Sequence, residues 1–141
     1  EGGCIGDNSH LEKLKLEISE IFDPEQDGYR LEHVKEKFKA FCQGLARNRS
    51  INILDISMCP KSCTSMLVEI LSPFIEHNSN LSHLIMESCN MNPETIRLLA
   101  SALSNRQNKS SLRKVELIGC SIGGHEAGEL IASLNDHCNL V

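Results

Sequence analysis

The apolar residues of this chain recur with the same spacing in three stretches. Each stretch has apolar residues at positions one, four and six and a cysteine at position nine. The stretches are Ile51, Leu54, Ile56 and Cys59; Leu81, Leu84, Met86 and Cys89; and Leu112, Val115, Leu117 and Cys120. Because side chains alternate across an extended strand, positions four and six face the same way. The pattern predicts a short strand in each stretch, with positions three, five and seven on the opposite face.

A helical pattern follows each predicted strand, with apolar residues three and four places apart. These residues are Met66, Leu67, Ile70 and Leu71; Ile96, Leu99, Ala100 and Leu103; and Ala127, Leu130, Ile131 and Leu134. Asn92 is suited to cap the second helix and Pro93 to begin it. Pro73 removes a backbone donor, so we expect it to kink or end the first helix near Ser72.

Each unit of strand, turn and helix is roughly 30 residues long, and such a unit cannot bury its apolar face alone. The spacing, the cysteine at position nine, the stretch Leu98-Leu99-Ala100-Ser101-Ala102-Leu103 and the turn Ser121-Ile122-Gly123 resemble the leucine-rich repeat family. The similar subtype is the long, helix-containing one typified by ribonuclease inhibitor. The resemblance implies an α/β solenoid, a segment of a horseshoe with parallel strands on its concave face and helices on its convex face.

The predicted units divide the chain. Residues 1–10 are an N-terminal partial segment, 51–80, 81–111 and 112–139 are repeats, and 140–141 start a further, truncated repeat. Terminal repeats usually carry a polar cap, so we expect the chain to be part of a longer protein.

Residues 11–50 permit two interpretations. Leu11, Leu14, Leu16 and Ile21 fit a divergent repeat head. Alternatively, residues 11–50 form a helix–loop–helix in which Asp23, Glu25, Asp27 and Gly28 resemble the start of a calcium-binding EF-hand loop. Position twelve of that loop, normally a bidentate Glu, is Val34, which weakens the calcium interpretation.

The seven cysteines first need a structural explanation. In stacked units Cys59, Cys89 and Cys120 would form a buried ladder at the strand ends, where a thiol serves as a small apolar group with a weak donor. No C-x-x-C pair occurs, so we expect no metal site and no cofactor. An odd number of cysteines at mostly apolar positions favours a reducing, cytoplasmic environment.

Catalysis, nucleic-acid binding and membrane insertion lack support in the sequence. The six histidines are dispersed, and no Ser or Cys has a nucleophile-elbow context. The net charge is −5, and Lys and Arg are scattered along the sequence without forming a basic band. No apolar run reaches the length of a membrane span. We therefore expect a protein that is not an enzyme.

The strand face opposite the helices is the candidate functional surface. Its residues are Ile53, Asp55, Ser57, His83, Ile85, Glu87, Lys114, Glu116 and Ile118. Ile53, Ile85 and Ile118 occupy positions three, five and seven of successive strands and would form an apolar diagonal. Outward β-branched residues can simply serve strand propensity, but a contiguous exposed apolar track also marks contact surfaces. The sequence predicts a protein–protein interaction module; a structural spacer in a larger assembly is the alternative.

Overall fold

The computed structural model describes residues 10–18, 31–59, 64–107, 111–134 and 138–141. Strands and helices alternate along these residues. The strands are β1 (Lys13–Glu17), β2 (Ile53–Ser57), β3 (His83–Glu87), β4 (Lys114–Ile118) and β5 (Asn139–Leu140). The helices are α1 (Leu31–Arg47), α2 (Thr64–His77), α3 (Pro93–Ser104) and α4 (Gly124–Ser133). The protein is thus an α/β structure.

All five strands are parallel and lie in one sheet in the order in which they occur along the chain. The same hydrogen-bond pattern starts each of the first three pairings. The backbone carbonyls of Glu12, Asn52 and Ser82 each accept two amides from the beginning of the next strand, at 2.7 to 3.1 Å. Equivalent positions of neighbouring strands therefore lie side by side.

β1 follows this pattern although its sequence is the most divergent. Lys13 pairs with Ile53 and Glu17 with Ser57 in parallel register. A strand over 13–17 is the arrangement expected of a repeat head, whereas a helix–loop–helix would need a helix there. The candidate calcium-loop residues Asp23, Glu25, Asp27 and Gly28 lie outside the described residues.

The helices form a second layer in which α1 contacts α2, α2 contacts α3, and α3 contacts α4. The core lies between this layer and the sheet. Positions four and six of the strands provide its centre: Leu54, Ile56, Leu84, Met86 and Val115 expose 1% of their surface or less. Burial of aliphatic side chains on one sheet face stabilises the two layers by roughly 25 cal/mol per Å² of apolar surface.

Two helices show how local signals and packing combine. The Oδ1 of Asn92 accepts the Thr95 amide at 2.8 Å, and Pro93 is the first helical residue, as the sequence predicts. Of the two effects expected of Pro73, a kink or an end near Ser72, the end does not occur, because α2 continues through Pro73 to His77. Pro73 lies on the exposed side, where the carbonyl that loses its intrahelical donor can bind water instead.

The last helix departs from the predicted pattern. Ile131 was expected on its packed face but is 60% exposed, and Leu134 lies just after the helix end. Among the described elements α4 packs against one helix, α3, whereas α2 and α3 each have a helix on both sides. A helix with one neighbour buries a narrower stripe, so Leu130 is its buried apolar residue.

Candidate functional site

The register of the sheet brings the nine outward strand residues together as three rows across β2, β3 and β4. We call this surface the outward strand face. Its rows are Ile53, His83 and Lys114; Asp55, Ile85 and Glu116; and Ser57, Glu87 and Ile118. Members of a row are cross-strand neighbours, whose side chains interact directly. All nine residues therefore belong to one surface.

Three isoleucines cross this surface diagonally, one from each strand. Ile53 and Ile85 are half-buried, and Ile118 is 46% exposed. In the parallel register each of them is offset by two residues from the next one on the adjacent strand. The residues form an apolar track with polar residues on both sides.

An ion-pair cluster lies on one side of this track. Glu116 Oε2 is 2.9 Å from His83 Nε2, and Glu116 Oε1 is 3.0 Å from Lys114 Nζ. Hydrogen bonding to Lys114, together with that to His83, lowers the pKa of the Glu116 carboxyl. The charge of this carboxylate is thus balanced by groups of the protein itself.

The other two carboxylates of the face are not balanced in this way. Asp55 is only 7% exposed, and its Oδ1 is buried without a hydrogen-bond partner. Glu87 is exposed and forms no ion pair with any residue that the structure describes. Ser57 is 5% exposed. Glu87 is thus exposed while Asp55 and Ser57 are buried, although all three occupy outward positions. Alternation along a strand sets the direction of a side chain and not its burial.

A left-handed residue follows each of these strands. Met58, Ser88 and Gly119, at position eight, have φ angles of 56°, 54° and 65°. This conformation costs a residue other than glycine about 1 kcal/mol or more. Met58 adopts it while keeping 49% of its surface exposed. An apolar side chain therefore stands at the carboxyl end of β2, beside the outward strand face.

The position-nine cysteines are buried and free. Cys59, Cys89 and Cys120 expose 2% of their surface or less. The Sγ of Cys89 lies 3.8 Å from the Ile56 carbonyl oxygen, one strand back. A hydrogen bond with Cys59 and burial raise the pKa of Cys89, and burial raises that of Cys120. Cys89 and Cys120 are therefore thiols that donate to backbone carbonyls at the strand ends, whereas the Sγ of Cys59 accepts the Thr64 hydroxyl at 3.5 Å.

A buried asparagine network was not predicted. Asn48 and Asn78 each stand three residues before position one of a unit, Ile51 or Leu81, and each is 1% exposed. The Oδ1 of Asn48 accepts the amides of Ser50 and Ile51. Asn78 Oδ1 accepts those of Asn80 and Leu81 at 2.9 and 3.0 Å. The signal in the sequence is an Asn three places before the apolar start of a unit.

The network also joins neighbouring units. Asn78 Nδ2 donates to the carbonyls of Leu45 and Asn48, at 3.2 and 2.8 Å. The buried guanidinium of Arg106 makes the next connection, donating to the Ile75 carbonyl at 2.6 Å and to the Asn78 carbonyl at 3.2 Å. Burial lowers the pKa of Arg106. The network holds the helix-to-strand loops together on the side of the sheet where strands begin.

Other kinds of site have less support in the residues that the structure describes. In the described ranges, no three His, Cys, Asp or Glu side chains are grouped so that they could hold a metal ion. None of the described helices combines the length and the apolarity needed to cross a bilayer. A cavity of about 240 Å³ lies between α1 and α2, and its lining combines charged side chains such as Lys35 and Glu69 with apolar groups such as Ile70. It is smaller than typical ligand pockets.

Comparison with known proteins provides no assignment. A scan against protein-family models finds no match for this chain, and a search of curated proteins finds no significant match. A function for this chain has to be inferred from the geometry of the outward strand face.

Proposed function

We propose that this chain is a protein–protein interaction module of the leucine-rich repeat type, which binds a protein partner through its outward strand face. In this proposal the strand–helix units form a solenoid with the strands on its concave side and the helices on its convex side. Two features of the fold support this assignment. The five strands are parallel and lie in sequential order, and the described helices alternate with them along the chain. The resemblance in the spacing of apolar residues and cysteines supports it further.

The observation that carries the binding proposal is the isoleucine diagonal. Ile53, Ile85 and Ile118 come from three different strands, and the register brings them into one track. Ile118 remains 46% exposed, and Met58 adds a side chain that is 49% exposed at the carboxyl end of β2. A contiguous exposed apolar track of this kind is typical of contact surfaces. The free thiols support a reducing, cytoplasmic environment for this interaction.

The test compares two matched substitutions. Ile85→Glu introduces a charge at the centre of the outward strand face, and Ile131→Glu introduces the same charge on α4, in the helical layer. Tagged versions of the full chain are used to purify partners from cells, with isotope labelling to quantify each protein. Partners that are retained by wild type and by Ile131→Glu but lost with Ile85→Glu support the proposal. Thermal unfolding verifies that both variants are folded.

The same experiment addresses the structural-spacer alternative. A spacer contacts its neighbours through the helical layer or the ends of the sheet, so its partners would be retained with Ile85→Glu, and they would be lost with Ile131→Glu only where the contact includes α4. That result, or equal retention by both variants, would contradict binding through the outward strand face.

A further inference from the structure

The charges around Ile85 indicate the chemistry of the partner. We propose that the partner inserts a Lys or Arg side chain between Asp55 and Glu87, with its aliphatic stem against Ile85 and apolar neighbours along the isoleucine diagonal. This inference rests on the proposed function and adds to it the kind of partner that the surface fits.

The first step of the argument is the charge balance on β2, β3 and β4. The outward strand face carries three carboxylates, Asp55, Glu87 and Glu116. Glu116 is already paired with His83 and Lys114, at 2.9 and 3.0 Å. The negative charge that remains is therefore concentrated on one side of the diagonal.

The second step is the state of Asp55. Its Oδ1 is buried and has no hydrogen-bond partner. Lys15, its cross-strand neighbour on β1, is exposed and forms no ion pair with it. A buried acceptor without a donor costs roughly 1–3 kcal/mol, and more when the group is charged. Asp55 keeps 7% of its surface exposed, and a cation that approaches this part would offset the cost of the buried charge at the moment of binding.

The third step is the position of Glu87. It lies two residues after Ile85 on β3, so both side chains are on the same face of the sheet. Asp55 is the cross-strand neighbour of Ile85 on β2. Ile85 thus has a carboxylate without an ion pair beside it in each of two directions. A side chain with an aliphatic stem and a cationic head matches this arrangement, since Lys and Arg bury their stems on apolar surface while the charge stays at the tip.

The probe for this proposal is a phage-displayed library of random heptapeptides, selected on the immobilised full chain. We expect the selected peptides to be enriched in Lys or Arg at one position flanked by apolar residues, and to lose binding to Ile85→Glu. The dissociation constants of synthetic copies of these peptides are then measured against folded variants. Asp55→Asn and Glu87→Gln should each weaken binding about tenfold, the effect of losing one well-placed interfacial charge pair. Glu69→Gln, an exposed carboxylate on α2, is the matched control and should change nothing.

Lys15 provides a test in the opposite direction. Its positive charge lies next to Asp55 and opposes the incoming cation, so Lys15→Gln should tighten binding of the same peptides. Replacing the enriched Lys or Arg of a peptide with Glu should abolish its binding to the wild-type chain.

The outcomes separate this inference from the proposed function. Selected peptides that lose binding to Ile85→Glu but show no basic enrichment, or that bind Asp55→Asn and Glu87→Gln as tightly as wild type, overturn the inference and leave the proposed function standing. Selected peptides that are indifferent to Ile85→Glu, or a selection that enriches none, would overturn both.

Discussion

The side-chain amide of Asn78 donates to the backbone carbonyl of Asn48 at 2.8 Å, across a separation of 30 residues. The same side chain accepts the amides of Asn80 and Leu81 through its Oδ1. One buried asparagine thus organises its own loop and attaches it to the preceding one. An amide can do both because it carries a donor and an acceptor on the same group.

Asn78→Asp should therefore be strongly destabilising. The carboxylate retains the acceptor but places a second oxygen against the Leu45 and Asn48 carbonyls, which loses two hydrogen bonds and buries a charge. We expect the free energy of unfolding to fall by about 3 kcal/mol, as measured by urea denaturation at neutral pH. Asn90→Asp, at an exposed position, is the control and should have little effect. Similar losses in both variants would mean that the network does not stabilise the fold.

Arg106→Met tests the next connection of the network. The substitution keeps much of the aliphatic stem and leaves the carbonyls of Ile75 and Asn78 without a donor. The expected loss is about 3 kcal/mol, again read from urea denaturation. Arg106→Lys should recover only part of it, since one ammonium cannot reproduce the planar fork of donors. Arg113 is exposed, and Arg113→Met is the matched control. If this variant lost as much free energy of unfolding as Arg106→Met, the buried hydrogen bonds of Arg106 would not explain the loss.

Asp55→Asn should have the opposite effect on stability. Asparagine has nearly the same shape, and it removes the negative charge from a buried position that supplies no donor to Oδ1. We expect the free energy of unfolding to rise by about 1 kcal/mol, with an increased Tm in calorimetry. If Asp55 serves binding at a cost in stability, Asp55→Asn should be more stable than wild type and should bind the selected peptides more weakly. A lower Tm would show that the Asp55 carboxylate stabilises the free protein.

Glu116→Gln should show a pH-dependent effect. The Glu116 pKa is lowered from 4.5, chiefly by its hydrogen bond with Lys114, so its ionised form favours the folded state. This stabilisation is fully present above pH 4.5 and disappears as the pH falls through the lowered pKa of the folded state. Wild type should therefore have the higher Tm at pH 7, and the difference should vanish in acid. A difference that persists at the acid end would have a cause other than this ionisation. Glu69→Gln, at an exposed position in the middle of α2, controls for the loss of a surface charge.

The buried thiols should react slowly in the folded protein. Burial raises the pKa of Cys42 to about 12, so at pH 8 about one group in ten thousand is a thiolate, and the pKa values of Cys89 and Cys120 are raised as well. Mass spectrometry after timed treatment with iodoacetamide should find these three unmodified in the native chain and modified after denaturation. Half-buried Cys138 should react sooner. Fast native alkylation of Cys89 would contradict its placement at the end of β3.

The strands illustrate which parts of the structure were accessible from sequence. Leu54, Leu84 and Val115 were identifiable as core residues because a period of two and the apolar character of the side chain point to the same face. Asn92 was identifiable as a helix cap for an equally local reason, since its bond reaches only to Thr95. Patterns of this kind depend on neighbours a few residues away.

Asp55 and Glu87 illustrate the limit of such patterns. Both occupy outward strand positions, yet Asp55 is 7% exposed and Glu87 is exposed. Pro73 and Ile131 differ from expectation for the same kind of reason: the tolerance of a proline depends on which side of α2 it lies, and burial on α4 depends on how many helices flank it. These properties are set by groups distant along the chain.

The sequence by itself determined the alternation of strand and helix, the side of each strand that enters the core and the residues that share the opposite face, because these follow from the periods of strands and helices. Only the tertiary structure decided that Glu116 is paired while Asp55 and Glu87 are not, and that Asn48, Asn78 and Arg106 connect successive loops. The contacts of Glu116 with His83, of Asn78 with Asn48 and of Arg106 with Asn78 join residues about 30 positions apart. Hydrogen bonding and burial at such separations depend on packing in space.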